Sequence, residues 1–270
     1  MINFSELLWK ASPTKDRRFR SARVPTTDDF EPVSSLRNIP VEKAELETGC
    51  RLQLLTDPRS ASADRFRYLR MRLRELRELA KLRSLVITSP LPDDGKSTIA
   101  MALATALAEG GKHPTLLIEA DLHHPTLART LGLEARPGLA ECLEDGLDPL
   151  SLIRKVEPIG FYLLEAGTPR GNPTELLQSD ALPTVMQGVL PNFDWILIDT
   201  PPALALTDAV SLSRQVDATL LVARADRTSS EAIEQTLKLI GQKHVVGVVL
   251  NCADGLHQLY SDYYGYYAKQ

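Results

Sequence analysis

Six short apolar runs, at about 84–89, 115–120, 161–166, 194–199, 217–223 and 244–250, alternate with helical patterns at about 97–109, 124–132, 174–190, 205–214 and 229–241. That alternation leaves few folds open. Strands that are apolar almost without a break need cover on both faces, and helices between consecutive strands supply it, so the expected architecture is α/β: three layers around a mostly parallel central sheet. Ligands of such sheets bind beyond the carboxyl ends of the strands, so the residues that follow each apolar run are the first place to look for chemistry. At 270 residues with 43% hydrophobic content the chain can bury one good core.

The first run, Leu85-Val86-Ile87-Thr88, leads into Ser89-Pro90-Leu91-Pro92-Asp93-Asp94-Gly95-Lys96-Ser97-Thr98, and a helical pattern follows from Ile99. A loop between a strand and a helix N-terminus points backbone N–H groups at anions. Lys96 can reach the β and γ phosphates of a nucleotide, and the Ser97 hydroxyl can ligate Mg²⁺. The plain spacing G-x-x-x-x-G-K-[ST] is not met, because Pro90 occupies the slot of the first glycine. The fold class expected from strand, loop and helix together is a P-loop NTPase-like sandwich, with Asp93, Asp94, Gly95, Lys96, Ser97 and Thr98 forming the phosphate loop.

Two further strand ends are acidic. Glu119-Ala120-Asp121 follow Leu116-Leu117-Ile118, and Asp199-Thr200-Pro201-Pro202 follow Trp195-Ile196-Leu197-Ile198. Carboxylates beside a phosphate loop suit a Mg²⁺–nucleotide complex, and one placed near an attacking oxygen can take its proton. Acidic residues also end strands as turn formers and helix caps.

The ordered set SPLPDDGKST, LLIEADLHHP, NPTEL, ILIDTPP and VVLN, closed by a tyrosine-rich C-terminus, resembles the bacterial tyrosine kinases (BY-kinases) of capsule and exopolysaccharide assembly over about residues 61–270. The resemblance implies ATP and Mg²⁺ as cofactors, Lys96 and Ser97 on phosphate and metal, and Glu119 and Asp121 on Mg²⁺ organisation and base chemistry. It places Asp199 in the metal shell and Asn251 at the position that recognises adenine in related ATPases. It also implies a ring-like homo-oligomer, joined through a Glu-x-x-Arg-x-x-Arg motif matched here by Asp64, Arg67 and Arg70. The expected partners are a separate membrane polysaccharide co-polymerase as activator and a protein-tyrosine phosphatase as counterpart.

Residues 256–270 read as a tail. Five of the seven tyrosines, Tyr260, Tyr263, Tyr264, Tyr266 and Tyr267, lie there, interleaved with Asp262 and Gly265, which break any apolar alternation. A mobile tail can enter a neighbouring active site, and the family phosphorylates such a cluster between subunits; a sticky aromatic docking tail is the alternative. Residues 1–60, with five prolines and only brief apolar pairs, read as a mostly flexible arm ahead of a domain at 61–255 that opens with an amphipathic helix at about 61–82. On that helix Phe66, Leu69, Leu73, Leu76 and Leu79 form one apolar stripe.

Charge is uneven. Residues 1–83 carry 18 Lys and Arg against 12 Asp and Glu, while the remainder carries 13 against 23. The cluster Lys15, Arg17, Arg18, Arg20 and Arg23 suits an anionic membrane surface or a solvated linker; nucleic-acid binding would need a stronger basic face. No run of 18 apolar residues and no signal-peptide pattern is present, so the expected location is the cytoplasm, with recruitment to the inner face of the membrane by a partner. Cys50, Cys142 and Cys252 carry neither metal nor disulfide spacing.

Three departures from the family pattern stand out: Asp93 where a glycine is usual, Glu119 for the first Asp of its motif, and His123-His124 for a basic pair. They leave a catalytically weak ATP-binding switch, related to the septum-site and partition ATPases, as the competing expectation. Partition-type loops carry a second lysine five residues before the invariant one, where this chain has Leu91.

Overall fold

The computed structural model describes residues 34–45 and 61–253. Eight strands form one sheet in the order β1-β4-β5-β3-β6-β2-β7-β8. They are β1 (Val41–Lys43), β2 (Ser84–Thr88), β3 (Thr115–Glu119), β4 (Arg154–Glu157), β5 (Phe161–Leu164), β6 (Trp195–Asp199), β7 (Ala218–Arg224) and β8 (Val245–Asn251). Every neighbouring pair is parallel except β4 with β5. All six strands read from the sequence are present, and the α/β sandwich with a mostly parallel sheet is the observed fold.

The helices are α1 (Ala61–Ala80), α2 (Lys96–Ala108), α3 (Leu127–Thr130), α4 (Leu139–Asp145), α5 (Pro149–Leu152), α6 (Pro173–Leu177), α7 (Ala181–Val189), α8 (Asp208–Ser213) and α9 (Ser230–Ile240). Each central strand feeds two cores, because successive side chains point to opposite faces. Leu85, Ile87, Leu117 and Leu197 meet α1 and α2, while Val86, Leu116, Ile118, Ile196 and Ile198 meet α4, α6, α7 and α8. Helix α2 is apolar all round, as a helix pressed between a sheet and a second helix must be.

On α1, Leu73 is buried and Phe66, Leu69 and Leu76 pack against the first core, but Leu79 is 76% exposed. At 3.6 residues per turn, position 79 lies roughly 120° round from position 73 and leaves the docked stripe. The pattern read as one helix over 174–190 is two, α6 and α7. Pro183 has no N–H and its ring crowds the carbonyl four residues back, so a helix cannot run through Ser179.

Residues 34–45, within the segment expected to be a mostly flexible arm, are folded. Ile39 is buried in the second core, and β1 pairs with β4 along Val41↔Lys155, Glu42↔Val156 and Lys43↔Glu157. Arg154, buried in β4, holds Glu42 at 2.7 Å and also pairs with Glu165, and Arg136 meets Glu42 at 2.5 Å. No helix among the described residues is long and apolar enough to cross a membrane. The five tail tyrosines, Tyr260, Tyr263, Tyr264, Tyr266 and Tyr267, lie outside the described residues.

Candidate active site

The loop after β2 is braced by its own side chains. Asp94 is fully buried: its carboxylate accepts from the Leu91 amide at 3.1 Å and from the Thr228 hydroxyl at 2.8 Å, and its carbonyl accepts from Asn251 Nδ2 at 2.9 Å. Asp94 therefore shapes the loop and turns away from any ligand. Asn251, at the end of β8, buttresses the same loop from behind. Gly95 has φ +94°, and a Cβ there would come within 2.1 Å of Asn251 Nδ2, so only glycine fits.

Asp93 has φ +62°. This left-handed conformation explains why glycine suits the position, and Asp is among the few other residues that tolerate it. Arg224 Nη1 donates to the Asp93 carbonyl at 3.3 Å, and Arg227 lies 3.6 Å from its carboxylate. Sequence reading missed Thr228, Arg224 and Arg227. Arg224 ends β7 and Arg227 and Thr228 follow it, more than 130 residues from their partners in the loop, and only the β2–β7 pairing brings them beside it.

Lys96 and Ser97 open α2. The Lys96 ammonium donates to Asp121 at 2.9 Å and to the Ser97 hydroxyl at 3.2 Å. Burial works against that charge, but Asp199, Asp121 and Glu119 outweigh it and hold the Lys96 pKa above the ordinary lysine value. Asp121 is almost fully buried, and its second oxygen accepts from the His124 amide at 3.1 Å. Next to it, His123 Nε2 lies 3.2 Å from Asp208, a fully buried carboxylate at the start of α8.

Asp199 and Glu119 sit opposite each other in the β3–β6 ladder. Asp199 is fully buried and neither of its oxygens has a hydrogen-bond partner of good geometry. Burial pushes its pKa up to about 7; Lys96 and the Ser97 hydroxyl relieve the charge in part, while Glu119 and Asp121 add to the strain. Glu119 is equally enclosed but well supplied. Its Oε1 accepts from the amides of Thr126 at 2.5 Å and Leu127 at 2.7 Å, and its Oε2 from Ala166 at 3.4 Å. Burial raises the Glu119 pKa, the three amides oppose that rise, and the charge of Asp121 adds to it.

A buried carboxylate with unused lone pairs costs several kcal/mol unless a cation joins it. Asp199, Asp121 and the Ser97 hydroxyl are hard oxygen donors of the kind Mg²⁺ prefers, so these three fit the implied metal, whereas Glu119 has its oxygens engaged elsewhere. Among the described residues no three His, Cys, Asp or Glu side chains form a ready-made cation cage. A cleft of about 280 Å³ opens on the far side of Glu119, between α3 and the loop after β5. Lys96, Ser97 and Asp199 do not line it.

Of the three helix residues matched to the ring motif, Asp64 and Arg67 pair with each other in partial exposure. Arg70 is turned inward: it donates to the Ala106 carbonyl at 3.1 Å and meets Glu109 at 3.0 Å, closing the C-terminus of α2.

Family models match residues 84–259 to the ParA group, described as a NUBPL iron-transfer P-loop NTPase. The fold and the braced loop thus define a P-loop NTPase of ParA type. The tyrosine-protein kinase ptk of Acinetobacter johnsonii is 36% identical over 169 residues, which is 62% of this chain and 23% of that one. The succinoglycan biosynthesis transport protein ExoP of Rhizobium meliloti (strain 1021) is 33% identical over 216 residues, 77% of this chain and 27% of that one. The solved BceF tyrosine kinase domain is 34% identical, with a TM-score of 0.65 over 73% of this chain and 80% of that domain. Within the P-loop class, the chain belongs to the bacterial tyrosine kinase family. It spans about a quarter of the length of the two curated relatives, 23% and 27%.

Proposed function

We propose that the chain is an ATP- and Mg²⁺-dependent protein-tyrosine kinase. The observation that carries this reading is the cluster of Lys96, Asp121 and the unpartnered Asp199 around the start of α2. Lys96 is held by Asp121 until a nucleotide arrives, when the β and γ phosphates offer the ammonium a stronger partner. Amides of the loop and of the first turn of α2 orient the phosphates. Ser97, Asp121 and Asp199 would hold Mg²⁺, which when bound would supply charge neutralisation at the phosphate oxygens. An acceptor phenol attacks the γ-phosphorus, ADP leaves, and the phenolic proton passes to a carboxylate; Asp121 is the one at hand.

Tyr260, Tyr263, Tyr264, Tyr266 and Tyr267 are the proposed acceptors, presented to a neighbouring copy in a ring that uses Asp64 and Arg67. The kinship with ExoP supports a role in exopolysaccharide synthesis and export; the inner face of the cell membrane as the place of action, a membrane co-polymerase as activator and a protein-tyrosine phosphatase as counterpart follow from the family resemblance alone. Incubating purified protein with Mg-ATP and mapping phosphotyrosine by mass spectrometry tests the reading. Label is expected on the tail and lost when all five tyrosines are changed to Phe; label on Tyr68 or Tyr162 alone refutes the acceptor assignment. The match to the ParA group favours one other reading, a nucleotide switch, which the same experiment detects as ATP hydrolysis without phosphotyrosine.

A further inference from the structure

The segment from Glu119 to Leu127 leaves the sheet at the end of β3, carries Asp121, His123 and His124, and returns as the start of α3. It is closed on itself by one side chain. Glu119 Oε1 takes both the Thr126 and the Leu127 amides, seven and eight residues on, and Oε2 ties the same point to Ala166 after β5. The extra methylene of Glu over Asp is what lets a carboxylate rooted in the strand reach the first turn of α3. With 1% of its surface exposed and three amides on two oxygens, Glu119 has most of its acceptor capacity committed to backbone.

We infer that Glu119 is a positioning residue: it clamps the loop that carries Asp121, and the metal and base tasks at this end of the sheet fall to Asp121 and Asp199 alone. This rests on the ATP–Mg²⁺ reading above for its consequence, but the clamp itself stands on geometry that needs no nucleotide. To ligate a cation, Glu119 would have to release two amides that are buried or partly buried and leave them without acceptors. To relax its hold, the loop would have to free Asp121 from its present partners, Lys96 and the His124 amide. Asp121 is thus pinned from three sides: by Lys96, by its own turn and by the closure at Glu119.

The test uses the full chain and two independent readouts. Without nucleotide, amide hydrogen exchange at Thr126 and Leu127 is expected to quicken at least tenfold in Glu119→Ala and to stay near wild type in Glu119→Gln, whose amide oxygen still accepts both N–H groups. Unchanged exchange in Glu119→Ala overturns the clamp. With a fluorescent, non-hydrolysable ATP analogue, the Mg²⁺ concentration for half-maximal binding is expected to shift less than twofold in Glu119→Gln and at least tenfold in Asp199→Asn. A tenfold shift in Glu119→Gln shows a metal ligand and overturns the division of tasks. No Mg²⁺ dependence in any variant defeats the ATP–Mg²⁺ reading instead and leaves the clamp to be judged by amide exchange. Turnover is expected to fall at least tenfold in Glu119→Ala and to recover in Glu119→Gln; a loss in Gln equal to that in Ala refutes positioning.

Discussion

The ends of β3 and β6 lie side by side in the sheet, finish with an acidic residue each at paired positions, and do opposite things. Glu119 receives three amide donors; Asp199, on the adjacent strand and as deeply buried, receives no amide. The contrast teaches that a strand-end carboxylate is defined by what surrounds its oxygens rather than by its place in a motif. A satisfied carboxylate holds backbone together, and a starved one waits for a cation.

Breaking the starved side has the largest expected effect. Lys96→Met removes the ammonium that faces Asp121 and Asp199, and phosphotyrosine in a Mg-ATP assay is expected to vanish while the circular dichroism of the fold stays unchanged. Wild-type labelling in Lys96→Met would remove the loop from the chemistry. Gly95→Ala comes next. Its Cβ collides with Asn251 Nδ2 and its φ is unfavourable for alanine, so nucleotide affinity should drop at least tenfold, with a stability loss of roughly 1–3 kcal/mol. Adding Asn251→Ala should recover part of the affinity, as read by titration calorimetry; no recovery would show that φ, not the clash, decides.

On the satisfied side the effect moves from affinity to stability. Glu119→Ala leaves three amide donors without their acceptor, at about 1–3 kcal/mol for each that stays dry, and a drop in Tm of several degrees is expected by scanning calorimetry. A Tm within one degree of wild type would mean that water replaces the carboxylate and that the two strand ends differ less than described. The smallest effect belongs to Asp93→Gly. Relief of the left-handed backbone favours the variant by up to about 1 kcal/mol, so Tm should rise by no more than about 3 °C. A fall would give the Arg227 pairing more weight than the backbone.

The strands nearest the site were legible because each is a near-continuous apolar run, which only a doubly covered parallel strand requires. β1 and β4 were not. Val41-Glu42-Lys43 and Arg154-Lys155-Val156-Glu157 look like polar connections, and β4 becomes a strand with a buried arginine only because Glu42 and Glu165 neutralise it. In the site, Lys96, Ser97, Asp121 and Asp199 were placed by motif and do converge. Glu119 was placed by the same reasoning, yet its carboxylate reaches past the strand end to Thr126 and Leu127.

By itself, then, the chain's order of residues determined the layered α/β fold and the phosphate loop, because hydrophobic period, turn residues and the strand–loop–helix step are local properties that act over a few positions. Tertiary structure alone decided which side chains serve each other across more than 100 residues: Thr228 and Asn251 on Asp94, and Arg154 on Glu42. It also decided which of two neighbouring carboxylates is left without a hydrogen bond of good geometry. The physical reason is that desolvation and hydrogen-bond supply depend on everything within a few ångströms, whatever its distance along the chain.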